Sequence, residues 1–235
     1  MKKEQAIKMS IISVIVLAGL LFISYRPVTA SNDMAAAQGL VDRARVTFSE
    51  FMRDSNYDWL RGHVDQAKGV LIFPQIIKGG FIFGGSGGTG VFIVRDGTGN
   101  WTEPAFYTVG SATFGLQIGG ESAEVVMLAM TQKAVDSLLS SSFKLGGDVS
   151  VALGPVGGGA KASADIPSVT SDFVSFAKSK GLYAGLNLEG AVVAVRDSLN
   201  KAYYGKNVRP ADIIVMKDVG NRRSAALRET LRCKC

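Results

Sequence analysis

Histidine and cysteine are nearly absent from this chain. Of 235 residues one is a histidine, His63, and two are cysteines, Cys233 and Cys235, in a terminal Cys-Lys-Cys. A closed zinc site wants four ligands, and non-haem iron draws on several histidines or cysteines. No metal and no cofactor are therefore expected. Two thiols cannot build a disulfide framework; a mobile tail is the first reading of them, and an intermolecular bond through Cys233 or Cys235 in an oxidising compartment the sharper alternative. A Ser–His or Cys–His nucleophile pair would have to use His63, which sits beside Trp59 and Asp65 with no matched nucleophile. A surface or packing role is expected for it. Basic charge is also scarce where it would matter. The net charge is +6, but its excess lies at the two ends, in Lys2, Lys3, Lys8 and Arg26 and in the run from Lys217 to Lys234. The body between is close to neutral, whereas a duplex-gripping surface puts a basic patch on the domain itself. Nucleic acid is not an expected partner.

What is present begins with an export pattern. Lys2, Lys3 and Lys8 precede an apolar stretch from Met9 to Ile23, and Val28-Thr29-Ala30 offers small residues for cleavage before Ser31. A permanent span wants about 20 apolar residues, so an uncleaved anchor is the lesser alternative. No cysteine follows the stretch, which argues against N-terminal lipidation.

Glycine dominates what comes next. Between Ala67 and Gly119, short apolar pieces (VLIFP, FIFGG, VFIV) are separated by glycines instead of helices. Such use implies turns, bulges or close backbone approach. Upstream, Met34, Ala37, Val41, Ala44, Phe48 and Phe51 recur at helical steps and predict one helix; Tyr57 to Gln66 predicts a second. Strand candidates are 69–73, 80–83, 91–95, 105–108, 111–119, 125–130 and 148–153, with a hairpin over 173–177 and 182–188. Residues 131–140 and 197–204 read as helices, 191–195 as strand or helix, and Pro210 as the start of a last turn. The fold expected is α+β: a largely antiparallel, glycine-rich sheet of six to nine strands, barrel-like closure left open, with two N-terminal helices and short C-terminal helices. Residues 1–30 read as leader, 31–216 as one domain, and 217–235 as a basic, poorly ordered tail. An outer-membrane barrel is disfavoured, because several strands are apolar on both faces and do not alternate.

Three motifs dissolve on inspection. Gly85 to Gly90 fits G-x-G-x-x-G, but a strand-like Val91-Phe92-Ile93-Val94 follows it and no helix, so a glycine-rich hairpin is expected. Gly154 to Lys161 approaches a phosphate loop with its lysine out of register and no Ser or Thr directly after it; an anion nest of backbone amides is what survives. Ser141 to Lys144 and Ser175 to Lys178 match Ser-x-x-Lys without the Lys-Thr-Gly partner. A hydrolase is the least supported class.

The order of the pieces resembles the SYLF domain, found in eukaryotic membrane and actin-linked adaptors and in bacterial secreted proteins. The matching residues are Ala67-Lys68-Gly69-Val70, Phe73-Pro74, Lys78 to Phe81, Gly87 to Val91, Pro104 to Tyr107, Phe114 to Gly119, Phe143 to Gly146, Gly154 to Gly157, Ser179 to Gly185, Asn200, Tyr203 to Gly205 and Pro210. The resemblance implies a non-enzymatic domain that binds membranes, through phosphoinositides in eukaryotes, with an amphipathic N-terminal helix contributing. In a bacterial envelope the lipid would be phosphatidylglycerol, cardiolipin or another anionic phospholipid. On this reading the headgroup candidates are Lys68, Lys78, Lys144, Lys178 and Lys180, and the membrane-contact helix offers Arg43, Arg45, Phe48 and Phe51. The expected setting is the periplasm, peripherally bound to the membrane. The alternative is a structural component that uses protein partners in the envelope and is indifferent to lipid.

Overall fold

The computed structural model describes residues 30–80, 83–114, 119–157, 171–180 and 188–232. The leader-like segment, residues 81–82, 115–118, 158–170 and 181–187, and both cysteines lie outside the described residues.

The chain enters through α1 (Ala30–Arg53). Ala37, Leu40, Val41, Ala44, Phe48, Phe51 and Met52 are all buried, the stripe that steps of three and four residues produce. Asp54 ends the helix and caps the next turn, its carboxylate accepting from the Asn56 amide at 3.0 Å. A short α2 (Asp58–His63) follows. His63 stacks on Trp59, ring centroids 3.8 Å apart, with Nδ1 2.8 Å from the Trp59 carbonyl; its role is packing.

Among the described residues eight strands form one sheet: β1 (Gly69–Gly80), β2 (Phe83–Val94), β3 (Ala105–Phe114), β4 (Gly119–Ala129), β5 (Ser142–Lys144), β6 (Val151–Leu153), β7 (Phe173–Lys180) and β8 (Val192–Val195). The spatial order is β5-β8-β3-β2-β1-β4-β7-β6. All neighbours are antiparallel except β6 and β7, so the sheet is mixed, though mostly antiparallel. It curls into a half-barrel: the Phe143 ring of edge strand β5 stacks 6.0 Å from that of Phe173 in β7.

Two readings of the glycine block need correction. The strand expected over 69–73 does not stop there; β1 runs unbroken from Gly69 to Gly80 through Pro74, and of the strand expected over 80–83, residues 81–82 lie outside the described residues. Proline cannot donate to a ladder and is tolerated in a central strand only at a bulge. Register shifts between Ile72 and Gln75 against β2, and between Phe73 and Ile76 against β4, place that bulge at Pro74. Nor is Gly85 to Gly90 a hairpin loop; it lies inside β2. A Cβ on Gly88 would stand 2.4 Å from the Gln75 carbonyl oxygen, and one on Gly90 2.4 Å from that of Ile72. These glycines exist so that β2 can close over the bulge.

Both faces of the sheet are covered. Outside, α1, α2, α4 (Asp197–Tyr204) and α6 (Ala225–Arg232) bury Val70, Ile72, Val91, Ile93, Phe106 and Val126. Inside the curl, Leu71, Phe73, Phe92, Tyr107, Met127 and Phe173 pack with α3 (Gln132–Leu139) and α5 (Pro210–Ile214). The Thr131 hydroxyl caps α3 through the Ala134 amide at 3.1 Å and donates to Asp172 at 2.7 Å. Asp172 also accepts from the Ser150 amide and hydroxyl at 2.9 and 3.0 Å and faces Lys133 at 3.3 Å. Burial pushes this carboxyl up, but its hydrogen-bond donors outweigh burial and hold it below the usual carboxylate range. A depressed folded value means stability present above the unfolded pKa of about 4 and lost as pH falls through the folded one. Asp172→Ala is expected to cost about 2–3 kcal/mol at neutral pH, since it strands the buried donors. Urea midpoints at pH 7 and pH 3 check this: the gap between wild type and variant should narrow at the lower pH.

The stretch after Lys217, expected to be poorly ordered, is folded through Arg232. Leu227 and Leu231, one helical turn apart on α6, are buried in the outer cluster. The segment is clamped to the β2–β3 turn as well. Lys217 reaches Asp96 at 2.7 Å, while Ser224 and Arg228 reach Glu103 at 2.7 and 3.2 Å. Its basic residues are partly consumed in those contacts.

Candidate functional site

Strand register decides which lysines meet. Lys78 in β1 stands opposite Ser86 of β2 and Glu121 of β4, and Ser86 stands opposite Ser111 of β3. Side chains alternate along a strand. Past the bulge, Ile76 belongs to the inner cluster, so Lys78 points to the inside of the curl too. Counting from Phe92, Tyr107 and Val125 puts Ser86, Ser111 and Glu121 on the same side. A polar row therefore crosses four strands at the end of the half-barrel opposite α3 and α5. Ser86 and Ser111 share a hydrogen bond of 2.8 Å, and the Ser179 hydroxyl donates to Glu121 Oε1 at 2.5 Å. Lys78 is half-buried, and among the described residues no carboxylate lies within ion-pair distance of it.

Two further candidates reach the same end. Lys178 and Lys180 pair across β7–β4 with Glu124 and Ser122. Lys178 lies on the outer side, half-buried, its ammonium 3.5 Å from Asp54 at the end of α1. That contact and the Asn56 amide hold the Asp54 carboxyl below its ordinary value, the backbone hydrogen bond contributing most. Around these lysines the backbone is nearly bare, with Gly79 opposite Gly85 and Gly80 opposite Gly84.

The other two lysines do not join. Lys144 is exposed on edge strand β5, on the outer side, since its neighbour Phe143 is buried inside. Lys68 precedes β1 at the opposite end, its amide bonded to the Ala129 carbonyl. Ten residues of strand separate it from Lys78, roughly 30 Å. The five lysines are thus one group of three and two outliers.

The helix candidates divide as well. Arg43 is exposed and Arg45 partly so. Phe48 and Phe51, assigned to membrane contact, are fully buried in the outer cluster. The apolar stripe of α1 is spent on the sheet and leaves these rings nothing to offer a bilayer. Elsewhere, burial pushes the Tyr107, Tyr203 and Tyr204 hydroxyls well above their ordinary range, which makes them structural groups at neutral pH. Among the described residues no set of three His, Cys, Asp or Glu gathers as metal ligands, and no helix is long and apolar enough to cross a membrane.

Comparison with known proteins places the chain. A family model described as Ysc84, Las17-binding protein actin regulator, matches residues 110–233. LAS seventeen-binding protein 3 of Saccharomyces cerevisiae is 39% identical over 145 residues, covering 60% of this chain and 31% of the relative. The human SH3 domain-containing YSC84-like protein 1 is 31% identical over 152 residues, covering 64% of this chain and 44% of the relative. The chain thus matches less than half the length of these curated relatives. No solved structure matches it.

Proposed function

The chain belongs to the Ysc84 family, in keeping with its resemblance to the SYLF domain, and from that premise we propose a non-enzymatic protein that docks on anionic phospholipid surfaces through the glycine-rich end of its curled sheet. The observation that carries this reading is that Lys78, on the inner face, and Lys178 and Lys180, at alternate positions of β7, stand at one end of the sheet, where the flanking backbone is glycine. A lysine near an anionic surface contributes about 1 kcal/mol. Three give roughly a hundred-fold in affinity, and the attraction weakens with salt. Because Phe48 and Phe51 are core residues, the contact is electrostatic on its sheet side, with Arg43 and Arg45 the groups that α1 can add.

Flotation with phosphatidylglycerol and cardiolipin vesicles tests it. Wild type is expected to bind at low salt and release at high salt. The triple variant Lys78→Ala, Lys178→Ala, Lys180→Ala is expected to lose at least ten-fold, and Lys68→Ala, at the far end, less than two-fold. Absence of binding to either vesicle at low salt sinks the reading. The leader-like segment supports an envelope setting. Export with cleavage predicts a mature N-terminus at Ser31, read by intact mass.

One observation favours a second reading. The family is described as Las17-binding, and the yeast relative is named for that contact. A protein partner for this chain predicts co-purifying proteins whose retention ignores lipid and survives the triple lysine variant.

A further inference from the structure

On the helical side, away from the lysine end, α1, α4 and the 3-10 turn before α6 enclose an open cleft of about 470 Å³. That is within the size of small-molecule sites, roughly 300–1,000 Å³. Its floor is apolar or bare: Met34 and Ala35 from the start of α1, Ala202 and Gly205 from α4. Its polar lining is Ser198, Lys201 and Arg223. The spacing of 198, 201, 202 and 205 puts these on one face of α4 and its cap, while Leu199, Asn200 and Tyr203 on the other face are buried.

Charge distinguishes this cleft from an ordinary groove between helices. Lys201 and Arg223 are both exposed, and neither has an ion-pair partner among the described residues. Among the described residues no carboxylate lines it; Asp33 and Asp197 precede lining residues in sequence but are not part of the lining. Two unpaired cations over an apolar floor complement a single molecule with a negative head and an alkyl chain. The chain's own apolar segment 9–23 is flanked by Lys2, Lys3, Lys8 and Arg26, which would meet like charge there.

We propose that the α1–α4 cleft binds one anionic amphiphile, its head on Lys201 and Arg223 and its alkyl chain along Met34, Ala35 and Ala202. The site is separate from the lysine end of the sheet, so it stands or falls independently of surface docking. The head can belong to a membrane lipid or to a free fatty acid or alkyl phosphate.

Titration calorimetry of the full-length chain with dodecyl phosphate, below its micelle concentration, tests the proposal, with dodecylphosphocholine as the zwitterionic control. Dodecyl phosphate should bind at least ten-fold more tightly. Lys201→Glu with Arg223→Glu should weaken it at least ten-fold, and so should Ala202→Trp, which fills the floor without touching charge. The triple lysine variant at the sheet end should leave it unchanged. Transfer of fluorescent phosphatidylglycerol out of vesicles by wild type, lost in these variants, assigns the source to the membrane. Binding of dodecyl phosphate without transfer assigns it to free amphiphiles, and either result supports the site. Equal affinity for the two heads, or no effect of either cleft variant, overturns it.

Discussion

Phe48→Ala is expected to lower the unfolding free energy by about 3–5 kcal/mol, the cost of removing a fully buried aromatic ring from a packed core. Phe48 has no exposure and shares its cluster with Phe51, Val70, Ile72, Val126 and Phe176. The folded fraction of the variant should still float with anionic vesicles as wild type does. Urea unfolding and flotation on one preparation separate the two assignments of this residue. A ring that served the membrane would give the opposite pattern, with unchanged stability and lost flotation. A stability near 5–15 kcal/mol is usual for a domain, so the variant is best read at low temperature.

The same stripe on α1 shows what periodicity carries and what it omits. Steps of three and four residues from Met34 to Phe51 predicted the helix and its apolar face. They did not say whether the face meets a sheet or a bilayer, because both burials leave the same trace in one strand of sequence. The lysines pose a related problem. Which of them share an end follows from register, and register depends on partners far along the chain. Lys78 and Lys180 are brought together only because β4 lies between their strands. Strand continuity through Pro74 was hidden for a third reason. Proline is a strand breaker except at a bulge, and the compensating glycines, Gly88 and Gly90, sit in another strand. The C-terminal helix did leave a signal, Leu227 and Leu231 one turn apart in a polar run. Its basic composition outweighed that signal because the acids that accept the charge, Asp96 and Glu103, are more than a hundred residues upstream. Asp172 left none: nothing local marks an acid that two separate segments, at Thr131 to Lys133 and at Ser150, will use as a shared acceptor.

Gly90→Ala is expected to be the most damaging single methyl that the sheet can receive. Its Cβ would lie 2.4 Å from the Ile72 carbonyl oxygen and 2.5 Å from the Phe73 ring. The first of these is backbone in a central strand and cannot turn aside. Overpacking of this kind costs about 1–3 kcal/mol where side chains can adjust, and more where they cannot, so a loss of at least about 3 kcal/mol is expected. Gly79→Ala is the control. It lies in the neighbouring strand with nothing within 4 Å of a new Cβ, and it should be neutral or stabilise by up to about 1 kcal/mol through the unfolded chain. Equal urea midpoints for the two variants would mean that β2 does not close over the bulge. The consequence reaches the site. If β1 escapes the clash by losing its bulge, every residue beyond Pro74 changes sides, because side chains alternate with a period of two. Ile77, now 58% exposed on the outer surface, would turn inward, and Lys78 would leave the row of Ser86, Ser111 and Glu121. Gly90→Ala protein that remains folded should therefore show weaker vesicle binding than wild type, whereas Gly79→Ala, with Lys78 still in place, should bind as wild type does.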